Sequence, residues 1–231
     1  MPGAALTPSR LSRALLLALL LAAGCEPAPD ARNETGSVEA ETGFDFYVLA
    51  LSWSPSFCAA EGADANPQQC ESGKPYAFIV HGLWPQFERG YPENCPIGQR
   101  DVPREIMRGL YDLMPSAALI RHQWRKHGSC SSLDQDEYFA TLRKARERVQ
   151  IPAPFRRLDA ARKIAPAEVE QAFLSANPGL PADGVAVTCD GRLLREVRIC
   201  LTKALAFRAC PEVDRRACRA RNTLMPPMHG G

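Results

Sequence analysis

The sequence predicts an α+β fold: a mostly antiparallel central sheet with several packed helices, stapled by disulfides. Apolar runs of strand length stand at Phe44–Trp53 and again, joined by short turns, between Gly184 and Phe207. Between these two groups lie segments whose apolar residues recur at helical spacing. Strands gathered at both ends of a helical stretch point to α+β rather than to alternating βαβ units. Eight of the nine cysteines fall from Cys58 onward, an even set that four disulfides would use up.

At the N-terminus, Arg10 and Arg13 precede the ten-residue apolar run Ala14 to Ala23, which is too short to span a bilayer. Residues 1–24 therefore read as a signal peptide. The run ends Leu21-Ala22-Ala23-Gly24-Cys25, similar to a bacterial lipoprotein processing site, with Cys25 as the lipidated first residue and a membrane anchor. Ordinary cleavage nearby, giving a soluble secreted product, is the alternative. Nine cysteines are odd for an oxidising compartment, and setting Cys25 aside restores an even number. The expected location is thus periplasmic or on the outer membrane, towards which Glu26 leans, and otherwise secreted. Residues 25–43 carry Pro27, Pro29, Gly36 and Gly43 with little to bury, and read as a flexible leader or tether.

Residues 44–220 fit one domain. Phe44 to Trp53 mixes aromatic and aliphatic residues as a buried strand does, and Ser54-Pro55-Ser56 ends it. Residues 59–76 are polar, with Gly62, Pro67, Gly73 and Pro75, and read as a loop. Tyr76 to His81 is the next strand, followed by a long loop from Gly82 to about Pro103. Ile106, Leu110 and Leu113 put a helix over Arg104–Met114. Pro115-Ser116 breaks it and caps a second helix, Ala117–His127, which Gly128 stops. Asp134–Val149 turns Tyr138, Phe139, Leu142 and Ala145 inward, and Ala165–Ser175 is a further helix entered at Pro166. Gly184–Thr188, Leu193–Leu201 and Ala204–Phe207 are strands, the first two joined at Asp190-Gly191. Residues 221–231, with Pro226, Pro227, Gly230 and Gly231, read as a disordered tail in which His229 is idle.

The 28 basic and 26 acidic residues leave a formal charge of +2, which includes Arg10 and Arg13 of the segment expected to be removed. Overall charge therefore gives no argument for binding nucleic acid. Three of the four histidines are concentrated in two short segments: His81 closes the second strand, and His122 and His127 lie with Lys126 on the second helix. Gln123 and His127 are four apart and share a helix face, as do His122 and Lys126. Taken alone, that face is either solvated or part of a site. With His81 added, the set contains an acid, a base and a cation for proton transfer near neutral pH. A metal site fits poorly, because the H-x4-H spacing is not the helical H-E-x-x-H pattern and the even cysteine set leaves none free.

The segments Phe78-Ile79-Val80-His81-Gly82-Leu83-Trp84-Pro85 and His122-Gln123-Trp124-Arg125-Lys126-His127-Gly128-Ser129-Cys130 resemble the two active-site segments of the T2 family of ribonucleases, roughly HGLWP and HEWxKHGxC. The resemblance extends to Phe44–Cys58 and to the cysteine order near the C-terminus, and covers residues 44 to about 220. It implies an endoribonuclease acting on single-stranded RNA without metal or cofactor, through a 2′,3′-cyclic phosphate to 3′-phosphate ends; a monomer is expected separately. It implies His127 as base, His81 as acid, Lys126 as the cation for the transition state and His122 as a phosphate contact. Trp84 would stack on a base, with Gln86 and Tyr91 as further candidates for that pocket; Gln86 stands where family members can carry an aspartate, so base preference does not transfer. The same resemblance pairs Cys58 with Cys70, Cys95 with Cys130, Cys189 with Cys218, and Cys200 with Cys210. Trp53 and Trp124 read as core. Gln123 replaces the family's glutamate, which implies reduced activity or a shifted pH optimum. The alternative is a catalytically weakened member that holds nucleotides or RNA at Trp84 without cutting.

Overall fold

In the computed structural model, which describes residues 43–228, strand β1 (Phe46–Trp53) lies at the centre of the sheet. It is followed at once by helix α1 (Ser54–Glu61) and a short helix α2 (Pro67–Cys70). Strand β2 (Phe78–Gln86) comes next, then helices α3 (Arg104–Arg108), α4 (Ala117–Lys126) and α5 (Gln135–Arg148). A short strand β3 (Arg162–Ile164), helix α6 (Pro166–Ala176), strands β4 (Val185–Cys189) and β5 (Leu194–Leu201), helix α7 (Pro211–Arg215) and strand β6 (Thr223–Met225) complete the order. The main sheet is antiparallel throughout, in the order β2-β1-β5-β4, and β3 pairs with β6 separately.

β1 shows no polar alternation because both of its faces are covered. Leu49, Leu51 and Trp53 join the main core with Ile120, Trp124, Tyr138 and Phe173 from the helices. Phe46 and Val48 on the other face pack with Cys200 and Cys210 into a second cluster, against which Trp84 and Val213 lie. The capping reading holds at Ser116, and the structure adds a second cap that the sequence reading had not named. Ser116 Oγ accepts from Leu119 N–H at 3.2 Å at the start of α4, and Asp134 with Glu137 forms a capping box on α5. All four disulfides join the pairs that the family resemblance implied.

Several boundaries differ from the sequence reading. Ser54-Pro55-Ser56 starts a helix as well as ending a strand, since proline in the first turn gives up an N–H that has no helical partner there. The stretch 59–76 is accordingly part helix rather than loop. The helix expected over Arg104–Met114 ends at Arg108, and turns carry the chain on to Met114. Ala204–Phe207 forms no strand beyond a single bridge from Phe207 to Leu201. The tail expected from residue 221 is held in place as far as residue 228: Thr223–Met225 pairs with β3, and Pro226 O accepts from Trp53 Nε1–H at 3.0 Å. Residues 1–42, with the expected signal peptide, Cys25 and most of the leader, lie outside the described residues, as do residues 229–231 with His229.

Candidate active site

The largest revision concerns His81. β2 does not end there but continues through Gly82, Leu83, Trp84 and Pro85 to Gln86. Ala50 pairs with Gly82 while Leu51 pairs with Val80, so His81 is the extra residue of a β-bulge. A bulge bends its strand and re-aims a side chain. Here it leaves the imidazole half-exposed, with Nδ1 in direct contact with Glu196 Oε1 of β5. The other oxygen, Glu196 Oε2, accepts from Arg198 Nε and Nη2 at 3.0 and 2.9 Å. Burial would raise the Glu196 carboxyl, but His81 and Arg198 outweigh it and hold the group down at about 2.

α4 supplies the second half. His127 is the residue at which helical geometry stops, with φ −121° and ψ −48°, and its N–H still reaches Gln123 O at 3.0 Å. Gly128 follows because a Cβ there would lie 2.6 Å from Trp124 Cε3 and 2.8 Å from Tyr138 Cε1. That close approach matters because Tyr138 Oη–H donates to Leu83 O at 2.8 Å, tying α5 to β2 beside His81. The disulfide Cys95–Cys130 and the bond from Asn94 N–H to Lys126 O at 2.8 Å bring the preceding loop onto the end of α4.

His127 is 7% exposed, and among the described residues nothing hydrogen-bonds its Nδ1. Burial first, and then the nearby charges of Lys126, His81 and His122, push it down to about 3. His122 is lowered for the same leading reason, with Lys126, His81 and Arg125 adding to it. The face that sequence left open as solvated is divided: His122 is exposed and Lys126 half-exposed, while Gln123, at 1%, and His127 are buried.

Gln123 has a specific task. Its Oε1 accepts from Trp84 Nε1–H at 2.7 Å, and a Cβ on Gly82 would collide with that same oxygen and with Trp84 Nε1. Glycine at position 82 is what lets the carboxamide and the indole meet. Lys126 finds its carboxylate elsewhere, in Glu93 Oε2 at 3.4 Å, on the stapled loop.

All eight proposed catalytic and substrate-binding residues, His81, Trp84, Gln86, Tyr91, His122, Gln123, Lys126 and His127, line one cavity of about 270 Å³. The Trp84 ring lies 5.4 Å from the His81 ring and 5.2 Å from the His127 ring. Tyr91 is exposed, whereas Gln86 is buried with its amide donating to Pro85 O. Trp53 and Trp124 are core, as the sequence reading had them. Sequence reasoning missed Glu196, Arg198, Phe87, Glu93, Glu212 of α7 and Arg216 just after it. The one available signal was a glutamate within an apolar strand, where a charge is rarely buried unpaired. A second hollow, of about 770 Å³, shares His81, His122 and Arg198 with the first and adds Glu196. Chemically the arrangement offers two imidazoles in contrasting surroundings, a lysine and an arginine around space for an anionic ligand.

The comparisons with known proteins agree with this geometry. A family model, Ribonuclease T2 family, matches residues 44–210. A ribonuclease of Aeromonas hydrophila is 39% identical over 197 residues, covering 82% of this chain and 83% of that protein. Ribonuclease I of Escherichia coli is 25% identical over 231 residues, covering 81% and 83%. Among solved structures, an RNase-related protein from Calystegia sepium shares the fold at a TM-score of 0.64 and 21% identity, covering 80% of this chain and 98% of that one. RNase NT, solved in complex with 5′-AMP, does so at 0.57 and 23%, covering 80% and 100%. From the match over residues 44–210 and the bacterial relative aligned along most of its length, the chain belongs to the ribonuclease T2 family.

Proposed function

We propose that the chain is an endoribonuclease that cuts single-stranded RNA outside the cytoplasm by acid–base transphosphorylation, without a metal. The observation that carries the reading is the pair of imidazoles held against Trp84 in opposite surroundings. His127, buried among positive groups, stays neutral and suits a base. It takes the proton of the 2′-hydroxyl as that oxygen attacks phosphorus. His81, against the Glu196 carboxylate, gives a proton to the departing 5′-oxygen, leaving a 2′,3′-cyclic phosphate. Lys126 faces the charge that builds on the phosphoryl oxygens, and His122 contacts the phosphate. In a second turn His81 accepts a proton from water, which opens the ring to a 3′-phosphate.

His81 and His122 border both cavities, which suits a chain with one nucleotide on each side of the scissile bond. A fold that holds 5′-AMP in RNase NT supports placing a nucleotide there. Stacking on the half-buried Trp84 is worth about 1 to 3 kcal/mol. Gln86 and Tyr91 line the same space. An extracytoplasmic, oxidising location fits the four disulfides. Among the described residues no helix is long and apolar enough to cross a membrane, so an anchor through Cys25 is a matter for lipid labelling of the processed chain.

The experiment is digestion of homopolymeric RNA by the oxidised protein in excess chelator across about pH 4 to 8, with end-group analysis of early products. Cyclic phosphate ends, lost in His81→Ala and His127→Ala, are expected. Cleavage that stops in chelator would overturn metal independence. No cleavage by folded protein at any pH would leave a nucleotide-binding protein, with Gln123 devoted to orienting Trp84.

A further inference from the structure

Glu196 and Arg198 lie outside both histidine segments, yet they converge on the site. They stand two apart on β5 and so share a face. Across the register, Glu196 pairs with Ser52 and Arg198 with Ala50 of β1, and Ala50 pairs in turn with Gly82 of β2. His81 therefore reaches Glu196 over the width of β1, about 10 Å from β2 to β5. The small side chains of Ala50 and Ser52 leave that path clear, and the bulge turns the imidazole onto it. Glu196 is 8% exposed, and a carboxylate so far from water is costly unless its oxygens are paired. Both are: the Arg198 guanidinium takes Oε2 in a fork and His81 takes Oε1. Arg198 also rests its guanidinium 5.1 Å from the Trp84 ring, so one side chain braces the carboxylate and the indole together.

We propose that Glu196, clamped by Arg198, is the positioning residue for His81: it takes the Nδ1–H and so presents Nε2 to the RNA phosphate. The inference rests on the acid role given to His81 above. When Nε2 gives its proton to the 5′-oxygen, Nδ1 keeps its own, and the ring is left as the neutral Nδ1–H tautomer. Nε2 is then free to take a proton from water in the ring-opening step. The charged and titratable groups around His81 are Glu196 and Arg198 from β5, and His122, Lys126 and His127 from α4 and its end. Glu212 of α7 and Arg216 just after it line the same cavity, and Arg195 the second one. Glu196 is the group among them that touches the ring nitrogen.

The test begins without RNA. Long-range 1H–15N spectra of the oxidised protein, with His81 assigned by its loss in His81→Asn, should show the neutral ring as the Nδ1–H tautomer. An Nε2–H tautomer would overturn the proposal. Glu196→Gln should lower kcat about 10- to 100-fold with KM near wild type. Glu196→Asp, which keeps the charge on a shorter stem, should recover part of kcat. An unchanged kcat in Glu196→Gln, or a loss carried by KM alone, also overturns it. If the wild-type chain cuts no RNA, the ribonuclease reading fails, while the tautomer in the spectra still decides the place of Glu196.

Discussion

His81 and His127 carry the same ring on opposite sides of one cavity's chemistry. His81 stands half-exposed on a bulged strand, with its Nδ1 against a carboxylate that the ring itself and Arg198 hold low. His127 stands buried at a helix end, with no hydrogen bond to Nδ1 among the described residues and positive groups around it. The first setting gives the ring a carboxylate partner at Nδ1, and the second keeps its ring neutral. Acid and base are thus distinguished by surroundings rather than by residue type, which is why each can be broken separately.

The largest expected effect is removal of either ring. His81→Ala and His127→Ala should each cut the rate by roughly 100- to 10,000-fold, with binding of a non-cleavable oligonucleotide changed far less. A large loss of binding with little loss of kcat would reassign that histidine to substrate contact.

Next comes Gly82→Ala, which inserts a methyl group where Gln123 Oε1 and Trp84 Nε1 meet. Overpacking of this kind costs about 1 to 3 kcal/mol, read as a lower urea midpoint. It should also push Trp84 off both imidazoles and lower kcat. A variant as stable and active as wild type would show that the carboxamide–indole contact is dispensable.

The pH response sharpens the contrast. His127 sits near 3 in the folded chain against an ordinary 6.5, so between those values the unfolded chain binds a proton that the folded one refuses. Stability therefore falls as pH drops from about 6.5 towards 3, and His127→Gln should flatten that slope in urea titrations at successive pH values. Gln123→Glu puts a carboxylate beside the same ring and should draw the acid limb of the rate profile to higher pH. It should also raise kcat, and an unchanged or lower value would count against a charge requirement at this position.

The smallest effect belongs to Lys126 and Glu93. Their side chains are 35% and 42% exposed, so the pair is screened, and Glu93→Gln should shift stability by no more than about 1 kcal/mol. A few-fold change in kcat/KM is expected as Lys126 is released towards substrate, and none would mean that substrate already displaces Glu93.

The sequence by itself determined the α+β class, the helix cap at Ser116, and eight of the residues that line the site. These depend on local spacing: apolar period, a hydroxyl cap, and two short motifs that hold six of the eight singled-out residues, with Gln86 and Tyr91 following the first; all eight reach one cavity. It misplaced His81 at a strand end because glycine and proline at positions 82 and 85 read as loop, whereas pairing to β1 carries the strand through both. It misread the last residues as a free tail because pairing with β3 and the Trp53 hydrogen bond come from partners about 60 and 170 residues away, beyond the reach of local chemistry.

Only the tertiary structure decided which charges meet. Glu196 reaches His81 from 115 residues away, and Glu93 reaches Lys126 on a stapled loop. The Gln123 carboxamide is committed to Trp84 across 39 residues. Residue types name the groups available for proton transfer, but desolvation and the sign of the nearest charge fix their protonation, and both follow from packing between distant strands and helices.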